Sequence, residues 1–136
     1  MRTVLAVLAA GAGLLVATKP VWGHHAFAAE FDQKRPLKLR GVVTKVELIN
    51  PHSWFHIDVK NPDGTTTSWM VEGGSPNALF RLGYKKDMLP EGTEVVIDGY
   101  QAKDGANRAV GKDFTFPDGR RMFLGGSAPG AGGEKQ

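Results

Sequence analysis

Apolar and polar side chains alternate along residues 37–49 and 54–60, and this period of two is typical of β-strands with one buried face; four further stretches also have strand character. The stretches are rich in β-branched residues and are separated by turn-forming residues. The predicted strands cover residues 37–49, 54–60, 65–71, 93–102, 108–116 and 121–124. The turn Asn61-Pro62-Asp63-Gly64 joins the second and third strands, which we expect to form a hairpin.

The first predicted strand changes its apolar face part of the way along. Leu37, Leu39 and Val43 fall on one face, whereas Val46 and Leu48 fall on the other. A long strand can bend in this way at a glycine or at a β-bulge. The change falls near Gly41, the only glycine in this strand, so we expect a bend at this glycine or at a bulge close to it.

One short helix is expected after the third strand. Ser75 suits the N-cap, Pro76 suits the first helical position and Gly83 suits the end of the helix. The order of elements predicts a mainly β fold: a small OB-like barrel of five to six strands, with one short helix between strands three and four. Residues 24–124 would form this single domain. Residues 125–136 contain no large apolar side chain, and we expect them to form a disordered tail.

The chain begins with an uncharged apolar run over residues 4–17, which is too short to span a bilayer comfortably. A candidate cleavage site follows at Val21-Trp22-Gly23, with Val at position −3 and Gly at position −1. This pattern predicts a cleavable signal peptide over residues 1–23, and therefore a periplasmic or secreted bacterial protein with no stable membrane insertion after cleavage. Cleavage after Gly23 would make His24 the first residue of the mature protein. A competing cleavage after Ala28 would remove the paired histidines.

The charge of the chain argues against nucleic acid as a partner. The formal net charge is +3, with 17 basic and 14 acidic residues. Removal of residues 1–23 takes away Arg2, Lys19 and no acidic residue, so 15 basic residues then face 14 acidic ones and the charge is +1. The sequence has no block of Lys or Arg that would bind phosphates. Its oligomeric state is left open.

The sequence also lacks the familiar catalytic signatures. It contains no cysteine, and therefore neither a thiol nucleophile nor disulfide bonds. The G-x-S-x-G, phosphate-loop and H-E-x-x-H motifs are absent from it as well. We therefore do not expect an enzyme of these classes, and binding is the more promising function.

All four histidines fall in two clusters, His24 with His25 and His52 with His56. An N-terminal histidine offers two nitrogens, because its α-amine loses its proton far more readily than a lysine does. The amine and the ring Nδ1 of His24 could chelate one ion, and His25, His52 or His56 could add a third nitrogen. Such a set suits Cu(II), which prefers tetragonal nitrogen coordination. The sequence thus predicts a copper-binding chaperone or buffer of the cell envelope.

His52 is the preferred third ligand, with His56 peripheral. The two residues would be about 13 Å apart along an extended strand, which is too far for one ion. His52 follows Asn50-Pro51 in a loop that could approach the mature N-terminus. Zinc is the second choice of metal, because it would also accept histidine together with Glu30 or Asp32.

The alternative prediction is an OB-type module that binds a small ligand or an envelope protein without metal. Its ligand face would consist of Trp54, Trp69, Ser75 and Asn77, with His56 beside Trp54. The same residues have ordinary structural explanations, since aromatic rings commonly fill a core and Ser75 caps a helix. Extension of the chain by one residue before His24 would abolish the N-terminal chelate and would leave such a face unaffected.

Several motifs together make the sequence similar to a known family. These are HHAFAAEFD at residues 24–32, Asn50-Pro51-His52, EGGSPNALFRLG at residues 72–83 and YQAKDG at residues 100–105. With them the chain resembles domain of unknown function family 6152, an uncharacterised family of small exported bacterial proteins. The resemblance covers nearly all of residues 24–124. It implies export and a small β-rich domain, with the paired histidines just after the signal, but it implies no activity, cofactor or catalytic residue.

Overall fold

A computed structural model describes residues 27–133 and shows a mainly β protein with two short helices. The described part begins with helix α1 at residues 27–30. The remaining elements are β1 (Phe31–Glu47), β2 (Trp54–Lys60), β3 (Thr66–Glu72), α2 (Pro76–Arg81), β4 (Glu94–Ala102), β5 (Arg108–Thr115) and β6 (Arg121–Phe123). The predictions of a mainly β fold and of a short helix between the third and fourth strands are confirmed. Neither helix in this part of the chain is long and apolar enough to cross a membrane.

The six strands form one sheet in the order β3-β2-β1-β4-β5-β6. Neighbours in this order are antiparallel. An additional parallel pairing joins Met70–Glu72 at the end of β3 to Arg108–Val110 at the start of β5. The last three residues of β3 are therefore paired on both sides, with β2 and with β5.

Of the two predicted possibilities, a glycine or a bulge near Gly41, strand β1 has a bulge, at Thr44. The pairing with β2 shifts register between Val43, the partner of Ile57, and Lys45, the partner of His56. Thr44 is thus the extra residue of a bulge, and it moves Val46 to the inner face. Gly41 has a different role, because a Cβ there would lie only 2.5 Å from the backbone oxygen of Asp58. The glycine permits a close approach of two strands.

Strand β1 also begins earlier than predicted, at Phe31 instead of residue 37. Phe31 pairs with Ala102 of β4, and a second register shift follows before Pro36 pairs with Tyr100. The polar residues 32–35 hide this first part of the strand from a search for alternation. Only the buried ring of Phe31 shows where it starts.

The interior contains two apolar clusters. The larger fills the space inside the sheet and is centred on residues such as Phe55, Ile57 and Phe114. The smaller cluster joins the start of the described chain to its end. Its members are Phe27, Phe31, Ala102, Val110, Ala128 and Ala131, with Tyr100 packed against them.

Residues 125–133 are folded, in contrast to the predicted disordered tail. Ala128 and Ala131 are buried in the smaller cluster, and the backbone N–H of Gly125 donates to the carbonyl of Ala131 at 2.9 Å. The prediction of disorder rested on the lack of large apolar side chains, but this segment packs against the domain without them. Two alanines fill the space that the rings of Phe27 and Phe31 leave.

Candidate functional site

A cleft of about 260 Å³ lies where the β1–β2 loop, the end of β3 and the start of β5 meet. Two of the residues proposed from the sequence, His52 and Trp54, line it. The complete lining consists of Glu30, Phe31, His52, Trp54, Glu72, Arg108 and Ser127. The cleft thus brings together an imidazole, a guanidinium and two carboxylates on a partly aromatic wall.

His52 is held over the cleft by the residue that follows it. The backbone N–H of Ser53 donates to the carbonyl of Gly74, and the N–H of Gly73 donates to the carbonyl of Ser53, both at 2.9 Å. These two bonds tie the β1–β2 loop to the segment that leaves β3. Because Glu72 immediately precedes Gly73, the clamp places the side chains of His52 and Glu72 next to each other.

The His52 ring nitrogen Nδ1 lies 3.3 Å from Oε1 of Glu72. The two atoms are not aligned for a hydrogen bond, and within residues 27–133 the buried Nδ1 has no hydrogen-bond partner. A buried polar atom without a partner is uncommon and costs free energy in the folded state. This nitrogen is therefore a donor atom whose chemistry the surrounding fold does not use.

Glu72 is a buried carboxylate, with only 7% of its side chain exposed. Burial raises the pKa of the Glu72 carboxyl group. The neighbouring His52 opposes that rise, Glu30 adds to it, and Arg108 opposes it. The physical cause of the net shift is the loss of hydration around the charged form, which the surroundings replace only in part.

Glu72 was missed in the analysis of the sequence, although a signal for it exists. The hairpin turn fixes the register of β2 and β3, and this register makes Glu72 the partner of Trp54. A polar residue opposite Trp54 on a strand end, next to a histidine loop, could have been found from the turn alone. The burial of Glu72, which depends on the parallel contact between β3 and β5, could not have been predicted from the turn.

Arg108 and Glu30 form the outer part of the cleft. Nη1 of Arg108 lies 3.3 Å from Oε2 of Glu30, and both side chains are partly exposed. The Arg108 guanidinium also lies over the Phe31 ring, 5.5 Å from its centroid. Glu30 is therefore paired with Arg108, whereas Glu72 is paired with His52.

His56 is separated from this cleft and binds a different carboxylate. Its Nε2 lies 2.7 Å from Oε2 of Glu47, and Nζ of Lys45 lies 2.7 Å from the other oxygen of Glu47. These hydrogen bonds, to Lys45 first and then to His56, lower the pKa of Glu47. His52 and His56 thus do not converge, and over residues 27–133 no three His, Asp or Glu side chains gather closely enough to hold a metal ion.

The proposed ligand face of Trp54, Trp69, Ser75 and Asn77 is not a single face in the structure. Trp54 is a wall of the cleft, whereas Trp69 pairs with the buried Ile57 and packs against the larger core cluster. Successive strand residues point to opposite sides, so the two tryptophans lie on opposite faces of the hairpin. Ser75 accepts a hydrogen bond from the N–H of Ala78 at 3.2 Å as the N-cap of α2, and Asn77 is exposed on that helix.

A second, wider depression lies away from the cleft. This groove has a volume of about 840 Å³, and its lining includes Lys38, Arg40, Lys60, Asp58, Glu94 and Phe116. None of the site residues proposed from the sequence lines it. The other two of them, His24 and His25, lie outside the described residues.

The described part of the chain is thus a six-stranded, mainly β protein with a small charged cleft beside an unpartnered histidine nitrogen. The chain belongs to the Family of unknown function (DUF6152), whose model matches residues 11–111. No curated protein and no solved structure shows a significant match to the sequence.

Proposed function

We propose that this is an exported metal-binding protein that holds copper through His24 and His52, as a chaperone or buffer of the cell envelope. The observation that carries the proposal is the buried Nδ1 of His52, which has no hydrogen-bond partner among residues 27–133 and lies beside the buried carboxylate of Glu72. Imidazole and carboxylate are ligands of Cu(II) and Zn(II). A bound ion would give Nδ1 of His52 the partner that it lacks and would balance the buried charge of Glu72.

The start of the described chain supports the contribution of His24. The ring of Phe27 stacks 6.2 Å from that of Phe31, which lines the cleft. His24 precedes Phe27 by three residues, a distance of about 10 Å in extended chain. Glu30 and Phe31 line the same cleft as His52, so cleavage after Gly23 would release an α-amine six residues before the first of them. His25 is the alternative source of the third nitrogen, and His56 is peripheral because it pairs with Glu47.

The test is a Cu(II) titration of protein that has been exported and processed by its own leader, after its mature mass has been verified. Electron paramagnetic resonance reports the coordinating nitrogens. A variant with one additional glycine before His24 is the matched control. We expect one equivalent of tightly bound Cu(II) with a multi-nitrogen spectrum, lost in the extended variant. A mature mass that begins at Ala29, or weak binding that is equal in both proteins, contradicts the proposal.

For the architecture, we propose the OB-like barrel. Two features support it: the parallel contact between β3 and β5, which links the strands in the cycle β1-β2-β3-β5-β4, and the position of α2 between β3 and β4. An OB barrel has this order and this helix. Proton–proton contacts in solution between Met70–Glu72 and Arg108–Val110 test the closure, and their absence would leave an open sheet.

A ligand-binding module without metal is the second candidate, and the wide groove favours it. Three cationic side chains on its wall, those of Lys38, Arg40 and Lys60, face two acidic ones. Lys38 is already paired with Asp98, at 3.0 Å, so Arg40 and Lys60 are the cations that an anionic small molecule or glycan would contact. Heparin-derived and other acidic oligosaccharides can be titrated against the native protein and Arg40→Glu. Equal binding, or no binding, by both proteins would show that the groove is not the site of an anionic ligand.

A further inference from the structure

The cleft contains two candidate donor atoms from the folded domain, and their separation fits one metal ion. Nδ1 of His52 and Oε1 of Glu72 are 3.3 Å apart. Metal–ligand bonds of about 2.0–2.2 Å to both atoms would enclose an angle of about 105°, close to tetrahedral. A right angle, as in tetragonal Cu(II), requires about 2.9 Å, which a shift of about 0.4 Å in the two side chains would provide.

The charges around the cleft single out Glu72 among the carboxylates. Glu30 is more than half exposed and pairs with Arg108. Glu72 is more than nine-tenths buried, and within residues 27–133 its only ion-pair partner is His52. A buried carboxylate that lacks a strong partner is unfavourable, and it gains more from a cation than an exposed one does.

We propose that Glu72 is an oxygen ligand of the metal site and binds the same ion as Nδ1 of His52. This inference rests on the proposed metal-binding function and adds one oxygen of Glu72 to the nitrogen donors proposed there. Carboxylate oxygen and imidazole nitrogen suit Cu(II) and Zn(II), whereas Cu(I) is selected by softer sulfur ligands. The site therefore selects divalent ions over Cu(I).

The chain provides a matched control for this proposal. Glu47 and Glu72 are both partners of Trp54, one on each neighbouring strand, and each lies beside a histidine. Glu72→Gln and Glu47→Gln remove the same oxygen charge from these two positions with no change in side-chain size. Only Glu72 belongs to the cleft.

The experiment compares four processed proteins: the native protein, Glu72→Gln, Glu47→Gln and the glycine-extended variant. Competition titrations measure their affinities for Cu(II), Zn(II) and Cu(I), and paramagnetic resonance follows the Cu(II) ligands. Glu72→Gln should lower the affinities for Cu(II) and Zn(II) about tenfold or more and should alter the Cu(II) spectrum. It should leave the affinity for Cu(I) within about twofold of the native value. Glu47→Gln should match the native protein in each measurement.

The results separate the two proposals. If the glycine extension abolishes binding and Glu72→Gln behaves as Glu47→Gln does, Glu72 is not a ligand and the N-terminal chelate stands. If Glu72→Gln weakens binding and the extension has no effect, the chelate is wrong and the His52–Glu72 pair binds by itself. A native protein that binds neither divalent ion overturns both.

A measurement on the native sequence protects the test from a folding defect in Glu72→Gln. Difference infrared spectra of the native and Glu47→Gln proteins, with ¹³C-labelled glutamate, report carboxylate stretches that shift when Zn(II) is added. Because Glu30 also lines the cleft, a glutamate band that shifts in these two proteins and in Glu30→Gln supports the Glu72 ligand. The absence of any shift in the glutamate bands rejects it.

Discussion

Two histidine–glutamate pairs flank Trp54, and they differ in burial, alignment and charge. On one side, Glu47 of β1 accepts hydrogen bonds from Lys45 and pairs with His56, with both distances at 2.7 Å. On the other side, Glu72 of β3 is buried, and the nearest nitrogen of His52 lies 3.3 Å away without alignment for a hydrogen bond. The residue types are the same, but only the second pair contains a buried atom without a hydrogen-bond partner, Nδ1 of His52.

The difference arises from the neighbouring strands. Glu47 lies at the end of β1, where hydrogen bonds with Lys45 and then with His56 stabilise its charge and hold its pKa low. Glu72 lies at the point where β3 acquires a second partner, β5, which covers it. A histidine–carboxylate pair on a sheet is therefore not by itself a sign of function. Burial combined with poor hydrogen-bond alignment distinguishes a pair that can bind a ligand from one that is already satisfied.

The largest expected difference between the pairs is in metal affinity. His52→Ala should weaken Cu(II) binding by about a hundredfold or more, because it removes a ligand, whereas His56→Ala should change the affinity by less than about twofold. Competition with a chromophoric chelator measures both variants in processed protein. Equal losses in the two variants would remove the distinction between the pairs.

A smaller but direct effect is expected in fluorescence. After the proposed cleavage following Gly23, the protein would contain two tryptophans, Trp54 in the cleft wall and Trp69 on the opposite face. Bound Cu(II) should quench Trp54 more strongly than Trp69, so Trp54→Phe should lose most of the quenching and Trp69→Phe should retain it. The reverse pattern would place the metal on the other side of the hairpin.

The smallest effect is in the pH dependence of stability, and its sign differs between the pairs. The raised pKa of Glu72 means that, above the ordinary glutamate pKa, the folded state binds more protons than the unfolded chain. Its contribution to stability therefore falls as the pH rises through this window. In metal-free protein, Glu72→Gln should raise the melting temperature by a few degrees at neutral pH, with a smaller gain near about pH 4.

Glu47 should show the opposite dependence. Its pKa is lowered, so its contribution is present above the ordinary glutamate pKa and is lost as the pH falls through the folded-state value. Glu47→Gln should therefore leave the melting temperature equal or slightly lower at neutral pH, with the difference vanishing in acid. Thermal melts of the three metal-free proteins across this range compare the signs, and a destabilised Glu72→Gln at neutral pH would contradict the assignment.

Much of the sheet follows from local patterns, since the alternation in residues 54–60 and the turn at Asn61–Gly64 define a hairpin that the structure contains. What the sequence concealed depends on contacts between distant segments. The bulge at Thr44 reflects register against β2, and the burial of Ala128 reflects the positions of two phenylalanines nearly a hundred residues earlier. Glu72 belongs to the same class, because β5 determines its environment.

Local sequence patterns predicted only part of the candidate site. His52 was selected for its place in a loop, and the structure puts it in the cleft. Trp69 was grouped with Trp54 because both are aromatic, although one residue of difference in strand parity sends them to opposite faces. Parity and turn register carry this information, whereas residue type does not.

The two backbone hydrogen bonds of Ser53 would affect the rate at which the proposed site binds a metal ion. Because Ser53 bonds to both Gly73 and Gly74, the loop that bears His52 and the strand that bears Glu72 move together. If the cleft binds a metal ion as proposed, the ion would meet these two ligand atoms already adjacent, and the protein would lose little conformational entropy in bringing them together. The first encounter would then need only side-chain rotation, a motion of picoseconds to nanoseconds, so the rate of loading would be limited by diffusion and by desolvation of the ion.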